Sequence, residues 1–179
     1  MTRLEAFLLL RRSVREREVI RRGLACEALM EGLAMHFAAD RALWALAGLV
    51  VELDHDLTCS NPRRCGAVAA EMLQAEGLET ELVEAVRTRR LPGPHDALLT
   101  RALAAAECAS AVALDMADSK AELGACTAAD LVRALDDGSV APEASRTRIR
   151  TLEGDGLAIE QLFGFALDAL RAAADDLYD

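Results

Sequence analysis

Aromatic residues are nearly absent from this sequence, at 3% of the chain, and long runs of β-branched residues are missing as well. Strands draw on both kinds of residue, so a sandwich or a barrel is excluded. Lysine occurs once, as Lys120, which leaves arginine to carry almost all of the positive charge. The longest unbroken apolar run, Ala42 to Val51, is half of the ~20 residues that a membrane-spanning helix needs. A cleavable leader is not expected either, because Phe7 to Leu10 is short and runs straight into Arg11-Arg12. The five cysteines are an odd number without the spacing of a disulfide framework, and a reducing cytoplasm is the expected setting.

What remains is a chain that is 53% apolar, built mostly from Ala and Leu. Both residues lose little side-chain freedom in a helix. An all-α fold follows, and 179 residues suffice for one buried core in a single domain, a helical bundle of eight or nine helices. The formal net charge is −10. A field of that sign argues against non-specific binding to nucleic acid or to an anionic membrane. Positive charge is concentrated in Arg11, Arg12, Arg15, Arg17, Arg21 and Arg22. Together the Arg and Ala excess reads as the coding bias of a GC-rich bacterium.

Helix punctuation places the elements. Apolar residues Val19, Ala25, Leu29, Leu33 and Phe37 recur at helical spacing and predict one long helix from about Val14 to Ala39. Asp40 caps the next, which carries Leu43, Leu46, Ala47, Val50 and Val51 to the core. Trp44 is expected in the core too. Asn61-Pro62 opens a helix that Gly77 closes, and Glu79 to Arg89 forms another, ended by the Leu91–Pro94 loop. Asp96 to Met116 is predicted helical throughout. Thr127, with Asp130 in the capping-box position, starts a short helix that Gly138 stops. Pro142 to Leu152 and Ala158 to Leu177 complete the chain.

In this order the segments resemble those of the HD-domain superfamily, in particular its small bacterial hydrolases. Val19 to Met30, VIRRGLACEALM, is similar to a first-helix motif LxKHSLAVEAxM. Ala47 to Asp54, AGLVVELD, parallels AGLLHDxD, and Asn61 to Leu73, NPRRCGAVAAEML, parallels NPxxHGxxGAExL. Ala75 to Arg89, Arg101 to Ala111 and the tail Arg146 to Leu170 continue the pattern, so that the likeness covers most of the chain. It implies a helical fold built around a divalent metal held by histidines and aspartates, which activates water against a phosphate ester.

The ligands themselves are replaced. By the same resemblance the first histidine falls on Arg22, the His-Asp pair on Val51-Glu52 and the later aspartate on Glu107. Two further histidines fall on Cys65 and Arg89. Arginine has no lone pair for a metal, and valine offers nothing. The expectation is a former metal pocket at Arg22, Val51, Glu52, Cys65, Arg89 and Glu107 that holds no cofactor, with Arg22 paired to Glu52 or Glu107.

A His-Asp dipeptide does occur, as His55-Asp56, one helical turn too late. It is a solvated helix end shared with Asp54, a relocated site for a divalent metal ion with His55, Asp56 and Cys59 as ligands, or a polar binding site without metal. Cys65 has no evident base to make it a nucleophile. Arg87, Arg89 and Arg90 complement a helix C-terminus, and with Arg63-Arg64 they could border a substrate mouth.

Three functions are compatible with these residues. The first is a non-catalytic protein whose remodelled pocket binds a partner protein or a small anionic ligand. The second is an active metal-dependent phosphohydrolase at His55 and Asp56. The third is a structural helical module that self-associates, for instance as a homodimer.

Overall fold

A computed structural model describes residues 1–92, 95–117 and 119–178. Among the described residues every regular element is helical. In chain order these are α1 (Arg3–Ser13), α2 (Arg17–His36), α3 (Arg41–Leu49), α4 (His55–Thr58), α5 (Ala67–Ala75), α6 (Thr80–Thr88), α7 (Leu98–Asp115), α8 (Lys120–Ala125), α9 (Ala128–Asp137), α10 (Glu143–Arg150), α11 (Ile159–Ala172) and α12 (Ala174–Tyr178). Short 3₁₀ turns at Pro62–Arg64 and Thr151–Asp155 link α4 to α5 and α10 to α11.

These segments exceed the eight or nine expected, for local reasons. α1 is an additional helix ahead of the one expected from about Val14; Val14 itself is extended and buried between α1 and α2. Asn61-Pro62 opens a 3₁₀ turn rather than the helix itself, and α5 begins only after Gly66. A break at Ala173 separates α11 from α12. Of the loop expected to end α6, Gly93 and Pro94 lie outside the described residues.

Caps fix the other boundaries. Asp40 accepts from the backbone N–H groups of Ala42 and Leu43, and Thr127 and Asp130 form a reciprocal capping box. Gly138 ends α9 in the left-handed conformation that glycine adopts without a Cβ clash.

The core is continuous and rich in Leu and Ala, with α7 at its centre. Fourteen of the residues of α7, from Leu99 to Leu114, are buried, because small side chains let neighbours close in on nearly every side. α2 packs against α3, α7 and α11, while α6 and α10 lie against α7. Trp44 is buried, as expected. No helix among the described residues is long and apolar enough to cross a membrane.

Candidate functional site

The last turn of α6 leads two consecutive arginines into the protein. Leu82, Val83 and Val86 form the buried face of α6, and Arg89 lies on that same face, three residues after Val86 and seven after Leu82. Its side chain is fully buried. Nη1 donates to the carbonyl of Val86 at 2.6 Å, and Nη2 donates to the carbonyl of Val51 at 2.5 Å and to Glu107 Oε1 at 3.4 Å. Nε lies 3.3 Å from Glu107 Oε2, near enough for an ion pair though not aligned for a hydrogen bond.

Arg90 closes the cluster from the half-exposed side. Its Nε donates to Glu107 Oε1 at 2.8 Å, its Nη2 also contacts that oxygen, and Nη2 stands 3.7 Å from Glu52 Oε1. Nη1 is 2.8 Å from Cys65 Sγ. Two arginines and two glutamates thus face one another at the meeting of α6, α7 and the end of α3, with the thiol of Cys65 beside them.

Burial acts on the two carboxyl groups in opposite company. For Glu107, desolvation pushes the pKa up, but attraction to Arg89 and Arg90 and the bond from Arg90 outweigh it and hold the carboxyl below its ordinary value. For Glu52, desolvation and the nearby charge of Glu107 raise the pKa, and the more distant Arg90 offsets them only in part. The same pairing raises the pKa of Arg90. Burial also pushes up the Cys65 thiol, which runs against a nucleophilic role.

Val51, Cys65, Arg89 and Glu107 are therefore brought together, with Glu52 joined to them through Arg90. Arg22 differs from expectation. It makes no ion pair to Glu52 or Glu107, because Arg89 and Arg90 occupy those carboxylates, and its Nε is buried without a hydrogen-bond partner. Instead Arg22 lines a cleft of about 330 Å³ together with Glu52, Arg90, Glu107 and Arg148. Arg90, read from sequence as complementing a helix end or bordering a substrate mouth, lines the cleft and is the residue that joins the two glutamates.

The His55-Asp56 segment is neither a simple solvated end nor a convergent ligand set. Asp54 is fully buried and accepts from the backbone N–H groups of Gly66, at 2.7 Å, and Ala69, at 3.0 Å, so that it caps α5 from a distance. His55 Nδ1 faces Glu52 Oε2 at 3.8 Å, Asp56 accepts from the backbone of Arg15, and Cys59 turns to the carbonyl of Asp56. No group of three or more His, Cys, Asp or Glu among the described residues is placed to hold a metal ion. Arg63 and Arg64 are exposed, and Arg64 pairs with Glu71 at 3.8 Å, away from the cleft.

Comparison with known protein families, curated proteins and solved structures gives no match to this chain.

Proposed function

We propose that this chain is a divergent HD-like helical protein whose metal position is filled by an arginine–glutamate network, and that it acts by binding rather than by catalysis. One observation carries the reading. The sequence resemblance places the family's metal-site residues at Arg22, Val51-Glu52, Cys65, Arg89 and Glu107, five separate stretches of chain, and all of the other four but Arg22 are touched by Arg89. Its guanidinium, with that of Arg90, supplies the positive charge a metal would bring to Glu52 and Glu107, but it cannot polarise or deprotonate a bound water as a metal does. The partner is a protein or a small anionic ligand that enters the adjoining cleft. A reducing cytoplasmic setting fits the five free thiols.

The reading is tested on protein purified without chelator. Elemental analysis should find Mn, Fe, Ni and Zn well below one per chain. Phosphomonoester and phosphodiester substrates, with each metal added in turn, should be turned over no faster than in blanks. Stoichiometric metal that disappears in His55→Ala would instead establish a site at the His-Asp dipeptide.

A further inference from the structure

The cleft beside the network has a charge imbalance that the network does not explain. Arg89 and Arg90 are matched by Glu52 and Glu107. Two more arginines reach the same space, Arg22 from α2 and Arg148 from α10. Among the described residues neither has an acidic side chain within ion-pair distance, although the charge of Arg148 also helps to hold the Glu107 carboxyl down. Arg148 is held in place by donating to the carbonyl of Arg90 at 3.2 Å. Arg22 Nε is buried without a hydrogen-bond partner, as are Arg21 Nε and Arg146 Nε. The one remaining acid on the wall is Asp115, which is exposed at the rim. Ser145 adds a hydroxyl, and Val140 and Pro142 add an apolar edge.

We propose that this cleft binds one small oxyanion between the guanidinium groups of Arg22 and Arg148. Arginine's planar fork presents several N–H donors to such a group, and charge-assisted bonds of this kind are about twice as strong as neutral ones. The overall charge of −10 works against an anion at long range, which makes a local excess of unmatched arginine the more specific signal. A volume of about 330 Å³ suits a phosphate or a small di- or tricarboxylate. Phosphate and carboxylate share the recognising chemistry. The inference rests on the proposed function only in taking Arg89 and Arg90 to be committed to the two glutamates.

Isothermal titration at low ionic strength with inorganic phosphate, and separately with citrate, tests it. At least one should bind with one-to-one stoichiometry, and which of the two binds more tightly identifies a phosphorylated or a carboxylic natural ligand. Arg22→Met keeps the aliphatic stem and removes no protein partner, so the fold should persist while affinity drops by about tenfold or more. Arg148→Met should weaken binding as well, and because it also removes the bond to the Arg90 carbonyl, an unchanged thermal melt is read beside it. Asp115→Asn removes the opposing charge and should tighten binding about twofold, a gain that misfolding cannot mimic. No saturable heat with either anion, or affinities unchanged in both methionine variants, overturns the proposal. Metal content and phosphoester hydrolysis measured on the same preparation fail independently: a metal found there removes the proposed function, whereas absent anion binding removes only this inference.

Discussion

Glu107 is the residue on which the buried network depends, because both arginines converge on it. Replacing it by Gln leaves Arg89 fully buried with an acceptor too weak to balance its charge. Breaking a buried pair in this way costs about 3–5 kcal/mol, so E107Q should unfold at markedly lower urea concentration. Glu52→Gln is expected to behave differently. Glu52 is repelled by Glu107 and holds Arg90 only at 3.7 Å, so its neutral isostere should leave stability unchanged or slightly raised. Denaturant titrations of the two variants decide it, and equal losses in both would mean that the network is shared evenly. The sequence made part of this legible. Leu82, Val83 and Val86 place Arg89 on a buried face, and Arg87 has Glu84 to pair with whereas Arg89 and Arg90 have no acid one turn upstream. It could not show that Arg90 rather than Arg22 would take the carboxylates, since that choice depends on where α2 crosses α7.

Among the elements, α2 and α3 approach closely enough to dictate their own sequence. A Cβ on Gly48 would stand 2.7 Å from the carbonyl oxygen of Cys26 and 2.8 Å from Glu27 Cα, both backbone atoms of α2 that cannot step aside. Gly48→Ala must therefore push the helices apart, and overpacking of this kind costs about 1–3 kcal/mol. In a chain of this size the midpoint of thermal unfolding should fall by several degrees, at about 2–4 °C per kcal/mol. A calorimetric scan showing no drop would mean that α3 slides without cost. Gly66 marks a second close approach, where a positive φ of 85° lets α5 start against the end of α6 while Asp54 caps it. The caps at Asp40, Thr127 and Gly138 are legible because each partner lies within four residues. The cap from Asp54 is not, because its partners lie 12 and 15 residues away. The boundary near Val14 is legible as the start of the long apolar-periodic helix, whereas α1 ahead of it is not.

At the scale of the whole molecule, two sources of negative charge make acidity stabilising at first. The chain carries −10 at neutral pH with a pI near 4.8, so lowering the pH relieves self-repulsion. Glu52 acts in the same direction. Its folded pKa is raised, so its contribution is fully present below its ordinary value of 4.5 and is lost as the pH rises through the folded value. Glu107 acts oppositely. Its folded pKa is lowered, so its contribution is present above 4.5 and is lost only as the pH falls through a value below that. Thermal stability should therefore rise from neutral pH toward about pH 5 and collapse in stronger acid, where Glu107 protonates and Arg89 loses its counter-charge. Salt separates the two causes of the rise. At about 1 M ionic strength the screening length is roughly 3 Å, which suppresses repulsion between surface charges but reaches a buried carboxyl far less. The rise that survives high salt should belong to Glu52 and vanish in E52Q, while E107Q should lose the steep acid limb. A surviving rise of equal size in E52Q would assign it to other groups and leave Glu52 ionised throughout.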